Sequence, residues 1–320
     1  MFFISLIIFF YFLSIGTVNF NFGVVSSATF RLTSNPAVNL YQPSIFNTLI
    51  LNSTGLLYLY NNRTTVSQLS LVGSAPYIFF QSTATMIGMM EVSNTFLWST
   101  TGASYLSGTA FSGQLNLLST CVSNLTSTVP TYVRNAVLNN FGSMTFAPVG
   151  AQYLYFDNTA SRSQFVNRAG ANLTLATSGS FFANSVALTG WFSNLGNVIV
   201  NLPLPTASFF MNMLFDNSGS VSVSSGYFSM SYTGNHNGTF THCSSCRILF
   251  AGGAHVLSSA SDVEDGVGIF FTGATTTING TFAPTFFTHT AGVTTFNIPF
   301  TTAQNIDVQA GMRAFFIILF

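Results

Sequence analysis

Lysine is absent from this chain of 320 residues, and charge of either sign is scarce. Charged residues make up 4% of the sequence, against roughly 25% in an average soluble domain. The seven basic residues are all arginine, and seven acids balance them. Nucleic-acid binding needs clustered cations to displace counterions, so a balanced chain with no basic patch argues against it. Cysteine is also rare. Cys121, Cys243 and Cys246 are too few, and odd in number, to be the main staple of the fold. No long apolar pattern of period 3.6 follows the first residues, which argues against helical architecture. The hydrolase signatures G-x-S-x-G and H-E-x-x-H are both missing.

What the chain has instead is phenylalanine, 36 residues of it, in a sequence that is 48% hydrophobic. Ser, Thr and Asn supply the polarity that charge does not. High hydrophobicity with no net charge is the opposite of a disordered composition. Enrichment in Phe, Val, Thr and Gly without helical periodicity predicts an all-β protein.

The first residues, MFFISLIIFFYFLSIG, form an apolar run too short for a confident spanning helix of about 20 residues. The run suits a signal-peptide core, and Ser26-Ser27-Ala28 places small residues where cleavage would need them, although the run carries no preceding Lys or Arg. We therefore expect residues 1–28 to be a signal peptide or an anchor, and the only membrane contact of the chain. The last residues, MRAFFIILF, read as an apolar strand in place of a cap, so we expect either a longer native chain or end-to-end self-association.

Between these ends the sequence alternates. In FDNSGSVSVSSGYFSM, residues 215–230, Val221 and Val223 flank a serine, as do Phe228 and Met230. Residues two apart share one face of a strand. The segment then repeats itself. The triplets Phe156-Asp-Asn158, Phe165-Val-Asn167, Phe182-Ala-Asn184, Phe192-Ser-Asn194 and Phe215-Asp-Asn217 recur, and glycines follow at Gly170, Gly196 and Gly219 with similar gaps between them. NGTF occurs at Asn237–Phe240 and again at Asn279–Phe282, a separation of two repeat units. Such spacings belong to solenoids. In a stack of coils the Phe and Asn of each triplet sit on their counterparts, the Asn amides bond up the stack, and glycine supplies a corner of positive φ. The expected fold is a β-solenoid with coils of about 20–26 residues, less regular over residues 29–150 and regular over 151–320. Phe156, Asn158, Phe165, Asn167, Phe192, Asn194, Phe215 and Asn217 are its expected ladder residues. The aromatics are read as core, not as a sugar-stacking platform.

The order Asn217-Ser-Gly219, Val221-x-Val223, Gly238-Thr-Phe240, Gly252-Gly-x-His255 and Gly266-x-Gly268 resembles the repeats of large surface and secreted proteins such as autotransporter passengers and filamentous adhesins. The resemblance is good over residues 156–282 and weaker over 28–150. It implies a right-handed parallel β-helix and an extracellular or cell-surface location. It carries no catalytic residue.

Few residues are candidates for chemistry. His242-Cys243-Ser-Ser-Cys246 holds half a zinc site with no second pair to complete it. A local disulfide between Cys243 and Cys246, or two inert thiols, is the simpler reading, with metal binding and redox catalysis behind it. Asp262, Glu264 and Asp265 concentrate three acids near a glycine corner, weak candidates for calcium against a solvated turn. Arg247 and His255, a few residues earlier, are the only groups near enough in sequence to join them. We therefore expect no cofactor, no catalytic residue and no enzymatic activity. The chain is read as a secreted or surface scaffold, structural or adhesive, with glycans or other surface proteins as partners. The alternative is a carbohydrate-active β-helix enzyme, a polysaccharide lyase or hydrolase.

Overall fold

A computed structural model describes residues 17–33, 37–52, 54–83, 86–109, 113–150, 152–157, 163–183, 190–264, 268–298 and 305–309. Most of the apolar leader, the terminal Met312–Phe320 run, Asn158 and Asp265 lie outside the described residues. The chain is a parallel β-solenoid, with no helix among the described residues. Its contacts divide into two compact units, Met1–Val166 with Ala183–Gly190, and Asn167–Phe182 with Trp191–Phe320.

In the first unit, one wall is a stack of short parallel strands. Ala37–Leu40, Leu56–Leu59, Tyr77–Phe80, Ser104–Gly108, Thr131–Arg134 and Gln152–Asp157 pair in that order. The rest of each early coil is one long strand, as in Ser44–Asn52, Thr64–Gly73 and Met89–Thr100. The register of the last two slips between Val66 and Gln68, and the bend at that slip becomes a corner in the next coil. There Met89–Val92 pairs with Gln114–Leu117, while Thr95–Trp98 pairs with Val122–Leu125. A turn at Leu118–Cys121, closed by a 2.8 Å bond from Cys121 N to Leu118 O, separates the two daughter strands. Two-sided coils thus become three-sided ones. The strand Val25–Leu32 pairs with Ser44–Asn52, so a cut before Thr29 would fall inside it.

The second unit keeps three walls. The segment FDNSGSVSVSSGYFSM is one coil: Leu214–Asn217, Ser220–Ser225 and Tyr227–Met230 are its three strands. Phe215, Asn217, Val221, Val223, Phe228 and Met230 all point inward and have no exposed surface. Successive coils pair Asn172 with Asn197, Asn197 with Ser220, Ser220 with Thr239, Thr239 with Asp262 and Asp262 with Thr281, so coil length varies from one turn to the next. The two NGTF segments are therefore two coils apart, with Val263 stacked between Phe240 and Phe282.

Two local expectations are corrected. Gly170 and Gly226 do turn corners at positive φ, of 79° and 84°, but Gly196 and Gly219 do not. Their requirement is contact: a Cβ on Gly219 would lie 2.0 Å from the carbonyl oxygen of Gly196. Phe182 is half-buried and paired with Asn212, because the inward side chain of that strand is Phe181. The triplet there is out of phase with the wall.

Within the second unit Phe192 packs on Phe215 with ring centroids 5.0 Å apart and planes tilted by 45°, and beside them the buried amides form a ladder. Asn167 Nδ2 donates to Asn194 Oδ1 at 2.9 Å, and Asn194 Nδ2 donates to Asn217 Oδ1 at 2.7 Å. The same nitrogens also reach backbone carbonyls of the following coil, Asn197 at 3.0 Å and Ser220 at 2.9 Å. A leucine at position 194 would leave the Asn167 amide without its side-chain acceptor and the Ser220 carbonyl without its side-chain donor. Asn194→Leu is expected to cost about 1–3 kcal/mol, read as a lower urea midpoint. Asn197→Leu, which removes two exposed bonds, the 3.0 Å one to Asn172 and the 2.8 Å one accepted from Ser220 Oγ, is the control and should cost less. Equal midpoints for wild type and Asn194→Leu would refute the ladder's contribution.

Candidate functional site

Phe156 is fully buried on the wall of short strands, where it pairs with Val133 instead of another Phe. Phe165, Asn167, Phe192, Asn194, Phe215 and Asn217 are likewise fully buried. These residues are interior and offer nothing to a ligand.

The tyrosines do the opposite. Tyr77, Tyr105, Tyr132 and Tyr155 pair strand by strand on the outer side of the short-strand wall, each partly exposed. Their ring centroids lie 5.7, 4.8 and 5.1 Å apart, and the last two pairs are stacked within 17° of parallel. Tyr58 and Phe79 run beside them, 5.6 Å apart. The reading of all aromatics as inward core is corrected here: phenylalanine fills the interior, while a tyrosine row lines the outside. Burial, then the neighbouring Tyr105, Tyr155 and Asp157, push the Tyr132 phenol above its ordinary value. Tyr132 therefore presents a neutral hydroxyl, which both donates and accepts. Beside the row Arg134 lies 5.2 Å over the Tyr105 ring and donates through Nε to Asp157 Oδ2 at 2.8 Å.

Cys243 and Cys246 are joined by a disulfide that closes a loop carrying exposed Ser244 and Ser245. Cys121 is a buried free thiol, and burial raises its pKa, which keeps it unreactive. Next to the disulfide, Arg247 lies between the rings of Tyr227 and Phe270, 4.9 and 4.6 Å from their centroids. Asp262 is half-buried on its strand and Glu264 is exposed. Arg247 does not join them, because it lines a separate cavity, and His255 does not, because it is an interior residue with 1% of its surface exposed. Among the described residues, no group of three or more His, Cys, Asp or Glu could hold a metal ion.

His255 belongs to a pair that the sequence did not reveal. The register puts His236 beside Asn217 on the next coil, and its ring stacks on His255 with centroids 5.3 Å apart. Phe215, Phe240 and Phe250 pack around it. His255 Nε2 lies 2.9 Å from the carbonyl oxygen of Gly252 and must carry the proton there. Its Nδ1 is then an acceptor, and His236 Nε2 donates to it at 3.1 Å. That leaves His236 Nδ1 as a bare lone pair with no partner. Both rings are held neutral: burial lowers the His255 pKa to about 4, and burial together with the His255 charge lowers His236 well below 6.5.

Comparison with protein-family models, with curated proteins and with solved structures returned no match. The functional reading therefore rests on the chain's own surfaces.

The histidine pair sets a pH dependence. Between about 4 and 6.5 the unfolded chain binds protons that the folded chain refuses, so stability rises with pH. The contribution is complete above the unfolded value and is lost as pH falls through that window. For His255 alone it is on the order of 3 kcal/mol. The urea midpoint should fall from pH 7 to pH 4, and fall less in His255→Gln. A midpoint independent of pH over that range would show that the two rings are not buried as neutral groups.

Proposed function

We propose that this chain is a secreted or cell-surface β-solenoid scaffold with a structural or adhesive role, as in the autotransporter and filamentous adhesins its repeats resemble. The observation that carries the reading is the tyrosine row. A parallel stack repeats one outer side chain at the strand spacing, and the chain uses that repeat for uncharged hydroxyls on consecutive coils. Such a surface suits an extended partner, a glycan or another surface protein, because each coil adds a weak contact and tethered contacts multiply. The interior supports the same reading: its buried amides and the histidine pair hold one another, and none opens into a cleft. The membrane enters this proposal only through the N-terminal segment.

The test uses the whole chain on a glycan array and on cell surfaces, beside a Tyr105→Ser/Tyr132→Ser double variant whose fold is checked by circular dichroism. The wild type is expected to bind and the double variant to lose most of that binding. Equal binding by both would remove the tyrosine row from the reading. The same preparation is incubated with plant, algal and bacterial polysaccharides, with and without calcium. Turnover that disappears when Asp262, Glu264 and Asp265 become alanine would replace the scaffold reading with that of a polysaccharide lyase or hydrolase. Recovery of the chain only from the cytosol would overturn the secreted assignment.

A further inference from the structure

A cavity of about 340 Å³ opens beside the disulfide loop in the second unit, lined by Ser244, Ser245, Cys246, Arg247, Phe270 and Phe286 among others. Its volume falls at the lower end of small-molecule sites, roughly 300–1,000 Å³. Three features give it chemistry. First, Arg247 is an exposed guanidinium with no acid within ion-pair distance among the described residues. Second, the rings of Tyr227 and Phe270 flank the guanidinium. A planar fork held against rings keeps its N–H edge for a partner, and that edge matches the two oxygens of a carboxylate. Third, the disulfide fixes the loop that brings the hydroxyl-bearing Ser244 and Ser245 to the rim, while Phe286, 5.5 Å from Phe270, adds an aromatic wall.

We infer that this cavity is a binding site for a carboxylate-bearing saccharide, with Arg247 holding the carboxylate, Ser244 and Ser245 bonding the sugar hydroxyls, and Phe286 covering an apolar ring face. A charged head flanked by hydroxyls and a C–H face is what this lining complements: one cation, several neutral polar groups and exposed aromatic carbon. An acidic peptide would use the cation but leave the hydroxyl rim without its partners. The site shares no residue with the tyrosine row, so it goes beyond the scaffold reading and stands or falls separately.

The probe is a short galacturonate oligomer, with the matching neutral galactose oligomer and oligoglutamate as comparisons, each titrated by calorimetry into the full chain. The galacturonate oligomer is expected to bind, and Arg247→Gln to weaken it roughly tenfold to a hundredfold, with the neutral oligomer unaffected by the change. Arg247→Lys keeps the charge but not the fork, and is expected to lose most of the same affinity. Reduction of the Cys243–Cys246 bond should weaken binding in the same direction by freeing the loop, and provides a second measurement if Arg247→Gln folds poorly. The inference is overturned if the galacturonate oligomer does not bind, if Arg247→Gln binds it as wild type does, or if lysine restores full affinity. Binding of oligoglutamate as tight as that of galacturonate would overturn the saccharide assignment.

Discussion

Each coil of this solenoid must place its polar interior groups where the next coil can use them, because the side chains inside the stack have no surface left for water. Asn194 shows how the constraint is met. Its Oδ1 accepts from Asn167, and its Nδ2 donates both to Asn217 Oδ1 and to the Ser220 carbonyl. One buried side chain thereby joins three coils and brings a side-chain donor to the Ser220 carbonyl. An amide buried without partners would cost a few kcal/mol, so the ladder fixes register: slipping this coil by one residue would bury Ser193 in place of Asn194 and leave the amides above and below without their partner. Above Asn217 the series passes to His236. The ring meets the same demand differently, by donating from Nε2 to His255 and leaving only a lone pair unmatched. A lone pair is cheaper to bury than an N–H donor, and the burial of both rings is what makes them sensitive to acid.

The walls were legible in the sequence where apolar and polar residues alternate strictly. Ser-Val-Ser-Val-Ser has only one parity that keeps valine from water, and the structure buries Val221 and Val223 completely. Legibility failed where both parities are apolar. Leu-Leu-Tyr-Leu at 56–59 and Tyr-Ile-Phe-Phe at 77–80 give periodicity nothing to decide with. The inward set is Leu57, Leu59, Ile78 and Phe80, which leaves Tyr58, Tyr77 and Phe79 on the outside. The tyrosine row was hidden for that reason, and so was the phase of the Phe181–Phe182 strand. Coil length hid the rest. Tyr77 pairs with Tyr105 and Ser104 with Thr131, coils longer than those that follow Asn197, and the mismatch blurs the repeat. Arg247 and its two rings are spread over residues 227–270, so no local motif announces them.

The shortage of charge follows from the same geometry. Like side chains fall on like side chains in a parallel stack, and a row of like charges at the strand spacing would repel. Neutral Asn, Ser, Thr and Tyr can be stacked; Arg and Asp can be stacked only as alternating partners. Arg134 lies directly opposite Asp157 in register, and the pair is the exception that obeys the rule. Exposed pairs of this kind contribute about 0–1 kcal/mol. This one also lays a cation against the Tyr105 ring, beside the tyrosine row.

A cation in the place of a ring is what distinguishes the surface around Arg247. Tyr227 pairs with Arg247 in register as Tyr105 pairs with Tyr132, and Phe270 adds a second ring beside the guanidinium. In the tyrosine row Tyr105, Tyr132 and Tyr155 cover one another's faces while Tyr77 is tilted against Tyr105, so the row shows mainly edges and hydroxyls, a surface for many shallow contacts. Where arginine takes the place of a ring, the covered faces belong to a guanidinium, and the edge left exposed is a row of N–H donors with a charge. Stacking at one spacing thus yields a repetitive tyrosine surface in one unit and a single exposed guanidinium flanked by rings in the other. The difference between them lies in which planar group the register placed at that position.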